Sequence, residues 1–181
     1  MPSIASHFVV AKLVSKRIGI NSDEFYKGNI LPDIIDDSHF KINGTYYEIP
    51  DIDKYLESVE LNDLEIGYLT HLLLDKYFLE EYIPNNIDSY QEKKMFLSGK
   101  MYNDYSKINY ELVKKFNLDV SYINKIMMDI DNVNEKKLFN NLKSINNKEV
   151  LSSLECLDIN KFILFLEDVS IKISNYIKEK I

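Results

Sequence analysis

Apolar positions recur at helical spacing along much of this chain. Ser3 or Ser6 caps a first helix running to about Arg17, with Phe8, Ala11, Leu13, Val14 and Ile18 on a broad apolar face; Gly19 then ends it. Residues 20–50 break the pattern. Asn-Ser-Asp, "YKGNILPDIIDDSHF" and "NGTYYEIP" read as one long loop with at most short helical turns, punctuated by Gly28, Pro32, Gly44 and Pro50, with Gly67 just beyond. A loop of roughly 30 residues inside a compact domain is more often functional than filler. Asp51 or Asp53 begins a short helix to about Val59. Asp63 caps the next, which runs to about Tyr82 and is stopped by Pro84. Asp88 or Ser89 caps a long helix to about Phe116. Val120–Asp131, Glu135–Leu142 with a continuation near Lys148–Leu154, and Ile159–Lys180 complete the pattern. Without repeats, linkers or low-complexity tracts, residues 1–181 are expected to form a single all-α domain. It is a helical bundle of about seven helices with a long ligand-bearing loop after the first.

Composition narrows the chemistry. Five glycines and four prolines are few for a chain of 181 residues, which favours long helices over many short strands. The formal net charge of −7 repels phosphate backbones, so no nucleic-acid partner is expected. A phosphate ester could still be a substrate if arginine, lysine or a metal supplied local positive charge. The single cysteine, Cys156, excludes a disulfide framework and any cysteine-based zinc site, and reads as a small core residue. The N-terminus lacks the pattern of a signal peptide, and "FILFL", Phe162 to Leu166, is far too short to cross a membrane. The expectation is a cytoplasmic protein without a transmembrane segment.

Several motifs carry nothing. Asp129-Ile-Asp131-Asn132-Val133-Asn134 begins like a calcium loop but has Val133 at the fifth position and lacks the glycine at the sixth, so it reads as a solvated helix end. No glycine cluster cradles phosphate, no serine nucleophile elbow occurs, and the 13 tyrosines are not interleaved with basic residues.

The three histidines do form a pattern. His7 lies among apolar residues of the first helix. His39 follows "LPDIIDDS", which supplies Asp33, Asp36 and Asp37. In "GYLTHLLLDKYF", His71 and Asp75 are four residues apart on one helix face, with Cβ atoms roughly 5–6 Å apart. That pair alone is explained by a structural hydrogen bond. A polar loop with Asp33 and His39, followed by a helix with His71 and Asp75, instead supplies two ligands each to a four-ligand metal site.

The set "SHF" with His7, "GNILPDI" with Asp33, "SHF" with His39 and "GYLTHLLLD" with His71 and Asp75 resembles the zinc-dependent phospholipase C family over about the first 85 residues. The resemblance implies an all-α catalytic domain and one zinc held by Asp33, His39, His71 and Asp75. It also implies a second metal ligated by His7 and bridged by Asp75, so one or two ions in all, with manganese or iron as substitutes. The implied activity is hydrolysis of a phosphodiester, a phospholipid headgroup or a soluble analogue, by metal-activated water. Secreted members complete the second site with their N-terminal residue; here the chain starts Met1-Pro2. They also hold a third zinc through two more histidines and a glutamate, whereas no histidine follows His71 here. Asp104, in the polar stretch "MYNDYSKINYE", is the candidate for an extra ligand or a water-orienting base, against the plainer reading of an exposed helix face. Asp33 is the other candidate base, and Asp36 is a candidate to fix an imidazole tautomer, whereas Asp37 reads as a plain loop acid. The competing expectation is a non-catalytic helical binding or regulatory module with a structural metal site. The HD phosphohydrolases, also helical and metal-dependent, are disfavoured because no His-Asp dipeptide occurs.

Overall fold

A computed structural model describes residues 2–36, 38–44, 47–86, 101–147, 154 and 157–181. The described residues form an all-α fold with one small hairpin, in the order α1 (Ile4–Ile18), α2 (Asp23–Ile34), β1 (Lys41–Asn43), β2 (Glu48–Pro50), α3 (Ile52–Ser58), α4 (Asp63–Tyr77), a π-helical turn (Phe78–Tyr82), α5 (Ile83–Asn86), α6 (Met101–Lys115), α7 (Val120–Met128), α8 (Glu135–Asn146) and α9 (Ile159–Lys178). No described helix is long and apolar enough to cross a membrane.

The expected boundaries of α1 hold for physical reasons. The Ser3 hydroxyl accepts from the Ser6 amide, and Gly19 closes the helix at φ 79°, its N–H donating to the Ser15 carbonyl. The main departure is in residues 20–50. Where a loop was expected, Asp23–Ile34 is a helix, capped by the Ser22 hydroxyl and opened by Asp23 and Glu24. Phe25, Tyr26, Ile30 and Ile34 fill its inner face. Gly28 and Pro32 gave the misleading loop signal. Pro32 stands in the last turn; it forgoes the bond that an N–H there would give the Gly28 carbonyl, but only two helical residues follow it. Beyond it, β1 pairs antiparallel with β2, Lys41 opposite Pro50. The loop proper is therefore only the few residues that carry His39.

Other boundaries shift by smaller amounts. Asn62, not Asp63, caps α4, its side chain accepting from the Glu65 amide. Pro84 does not stop the helical path. The carbonyl its ring would strike in a straight helix belongs to Glu80, inside the wider π turn, and the chain continues to Asn86. α7 ends at Met128 rather than Asp131, α8 runs on past Leu142 to Asn146, and α9 ends at Lys178 rather than Lys180. The long helix expected from Asp88 or Ser89 is described from Met101 to Lys115. Its start, the continuation at 148–153, and Cys156 and Asp37 lie outside the described residues. Asp129, in the calcium-like stretch, pairs with Lys27 at 2.8 Å.

The core lies between α1, α2, α4 and α9. α2 runs along α4, and α9 covers α1. Val9, Val10, Val14, Ile30, Leu69, Leu72, Leu166 and Ile173 are wholly or almost wholly buried there. The α2–α4 crossing is closer than side chains allow. A Cβ on Gly28 would lie 1.9 Å from the Leu64 carbonyl oxygen, and one on Gly67 would lie 1.9 Å from that of Phe25. Each helix thus seats the backbone of the other in a glycine gap, and this contact places the two richest ligand motifs side by side.

Candidate metal centre

His7, His71 and Asp75 have no solvent exposure, while the side chains of Asp33 and His39 are 13% and 11% exposed. Four elements bring them together: α1 carries His7, the last turn of α2 carries Asp33, the loop before β1 carries His39, and α4 carries His71 and Asp75. The Asp75 carboxylate is the hub. Its Oδ1 lies 3.4 Å from Nε2 of His7, and its Oδ2 lies 3.5 Å from Nε2 of His71 and 3.6 Å from Nε2 of His39. Asp33 Oδ1 lies 4.0 Å from the same nitrogen of His71. The rings of His7 and His71 stack at 3.7 Å, with 7° between their planes.

Backbone contacts decide which imidazole nitrogens face the carboxylate. Nδ1 of His71 lies 2.8 Å from the Asn29 carbonyl, which can only accept, so that nitrogen carries the proton. Ser38 donates its hydroxyl to the Pro32 carbonyl at 2.7 Å; its oxygen then accepts from Nδ1 of His39 at 3.1 Å. In their neutral forms both residues therefore aim an Nε2 lone pair at a carboxylate. The loop is held in this pose by Tyr68 of α4, whose hydroxyl donates to the Ser38 carbonyl, and by Phe40 packed on Tyr55 at 5.3 Å.

The result is a buried cluster of polar atoms left without partners. Nε2 of His7, His39 and His71, Nδ1 of His7 and both oxygens of Asp75 have no hydrogen-bond partner among the described residues. Buried polar atoms are rarely left so, and each costs about 1–3 kcal/mol. Protons relieve only part of this. Although burial opposes its charge, Asp75 and Asp33 together raise the His71 pKa, so His71 can carry a proton. Burial, then His71, lowers that of His7; the same two causes take His39 down to about 4. Asp75, despite its burial, is held well below the usual carboxylate range by His71 and His7.

A cation fits the remainder. Two groups of ligand atoms lie within 4.8 Å of one another: His7, Asp33 and His71, and His39, His71 and Asp75. With bonds of about 2.1 Å, a tetrahedral ion holds its ligand atoms about 3.4 Å apart, which the separations of 3.4 to 4.0 Å approach. They are too long for hydrogen bonds. Imidazole and carboxylate donors suit zinc, iron or manganese.

Some expected roles move. Asp36 fixes no imidazole. It lies on the surface, accepting from Asn134 and pairing with Lys137 at 2.9 Å, because the chain turns outward after Ile34. The Asn29 carbonyl and Ser38 orient the histidines instead. Asp104 is fully buried in α6, not on an exposed face, and belongs to neither of the two ligand groups. Asn29, Ser38, Gly28 and Gly67 were missed as site-building residues. The visible signal was the repeat of a glycine in each ligand-bearing motif, "GNILPD" and "GYLTHLLLD".

Beside the cluster lies a cavity of about 490 Å³, reached by Asp33 and His39 on one side and by α8 on the other. No family model, curated protein or solved structure matches this chain.

Proposed function

We propose that the protein is a metal-dependent phosphoester hydrolase of phospholipase C type, with His7, Asp33, His39, His71 and Asp75 as metal ligands. The observation that carries this reading is the Asp75 carboxylate, buried among three Nε2 atoms at 3.4 to 3.6 Å with no hydrogen bond to any of them. Its two oxygens face different histidines, as a carboxylate shared by two ions does. A zinc ion bound there would polarise phosphoryl oxygens and bring the pKa of water toward about 7. It would also supply the positive charge that a chain of net charge −7 otherwise lacks.

The residues divide the work by position. His7, His71 and Asp75 are sealed from solvent and give the centre its rigidity. Asp33 and His39 form its open edge against the cavity, which is where a phosphoester could approach. Asp33, partly exposed at that edge, is placed to orient water or accept its proton.

The complete burial of three of the five ligands also favours a second reading, a helical binding module with a structural ion. Metal content and a phosphoesterase screen separate the two. Protein purified without a histidine tag is expected to hold one to two equivalents of metal, and to hydrolyse bis-p-nitrophenyl phosphate or p-nitrophenylphosphorylcholine with zinc or manganese added. A filled site without turnover of any phosphoester would favour the module. Absence of metal from the wild type and His71→Ala alike would overturn both.

A further inference from the structure

We infer that the organic part of the substrate is a hydroxyl-bearing group rather than a choline-like cation, and that α8 recognises it. This rests on the phosphoesterase reading of the metal centre. The cavity beside Asp33 and His39 is faced by Lys137, Asn140, Asn141 and Ser144. These lie at i, i+3, i+4 and i+7 and so form one stripe along α8. At about 490 Å³ the cavity suits a small molecule.

The unused hydrogen-bonding capacity of that stripe defines its ligand. Lys137 is already engaged: its ammonium donates to the Ile35 carbonyl at 2.6 Å and pairs with Asp36. Asn141 spends its amide hydrogens on the carbonyls of Lys137 and Asp33, which leaves its Oδ1 to accept. Ser144 accepts from Asn109 at 2.7 Å, which leaves its own hydroxyl hydrogen to donate. Asn140 is exposed and makes no hydrogen bond to the described residues, so it offers both a donor and an acceptor. Adjacent neutral donors and acceptors match hydroxyl groups, each of which gives one hydrogen bond and receives others. A quaternary ammonium needs aromatic faces or carboxylates. Tyr105 is the one aromatic residue described on this wall, and the Asp33 carboxylate faces the histidine cluster.

The test is calorimetric titration of the zinc-loaded protein with glucose 1-phosphate and with phosphorylcholine, which share a phosphate monoester and differ in the organic part. One or two extra hydrogen bonds predict about tenfold tighter binding of glucose 1-phosphate. Asn140→Ala is expected to reduce that preference about threefold or more, without weakening phosphorylcholine. Equal affinities, tighter phosphorylcholine, or a preference unchanged in Asn140→Ala would overturn the inference. A preference without turnover of any phosphoester would leave this subsite standing and sink the hydrolase. Turnover without a preference would do the reverse. Glycerophosphoglycerol and phosphatidylglycerol vesicles carry the same hydroxyl-bearing group in soluble and lipid form; whichever is turned over identifies its source.

Discussion

Gly67→Ala tests whether the glycine-lined crossing of α2 and α4 builds the proposed metal centre. The added Cβ would stand 1.9 Å from the Phe25 carbonyl oxygen, 2.8 Å from its carbon and 3.0 Å from the Asn29 nitrogen. These are backbone atoms of a buried helix, so no side chain can swing aside. Ordinary contact begins near 3.4 Å, and the helices must therefore part by about 1.5 Å. Overpacking of this kind costs about 1–3 kcal/mol, and the rigidity of both partners places this site at the upper end. For a chain of this size that is a fall in Tm of roughly 4–10 °C. The same displacement would stretch the 2.8 Å bond from His71 to the Asn29 carbonyl to about 4 Å, beyond hydrogen-bond reach. Loss of a partner that orients a ligand imidazole lowers metal affinity about 10–100-fold. Gly19→Ala is the control. Gly19 has a φ of 79° and open space around its Cβ position, so alanine there costs about 1–2 kcal/mol of backbone strain while leaving the ligands in place. Thermal denaturation and competitive zinc titration of both variants read the two effects separately. If Gly67→Ala bound zinc as tightly as Gly19→Ala at comparable loss of stability, the crossing would not be what positions His71.

Three further outcomes are expected. Asp75→Ala removes the carboxylate shared by all three imidazoles, so bound metal should fall to zero, as read by metal analysis of the purified variant. Zinc uptake near neutral pH should release protons from His71, whose pKa is raised by Asp75 and Asp33, and not from His7 and His39, whose pKa values are lowered by burial. Affinity then rises with pH until His71 has titrated; titrations in buffers of different ionisation enthalpy that give no proton release would contradict the assignment. In the metal-free protein, His39 titrates near 4 when folded against an ordinary 6.5, so the native state binds fewer protons than the unfolded state between those values. Its contribution, up to about 3 kcal/mol, is therefore lost as pH falls from 6.5 toward 4, and His39→Gln should flatten the decline in Tm over that window.

Much of the molecule follows from local chemistry. Ser3 and Gly19 bound α1, Asp51 begins α3, and the i,i+4 spacing of His71 and Asp75 puts both on one face of α4, because caps and helical periodicity act over a few residues. The same local logic misread Gly28 and Pro32 as loop residues. Glycine breaks helices by its own propensity, yet here it is needed because another backbone passes 1.9 Å from where its Cβ would be, and that neighbour is 36 residues away at Leu64. The candidate ligands could be picked out by residue type and order alone. Which nitrogen each histidine presents could not, because the Asn29 and Pro32 carbonyls that fix it meet α4 and the His39 loop only when the chain folds. The burial of Asp104, the outward turn of Asp36 and the polar face of α8 beside Asp33 were decided in the same way, by packing between distant segments that no local pattern encodes.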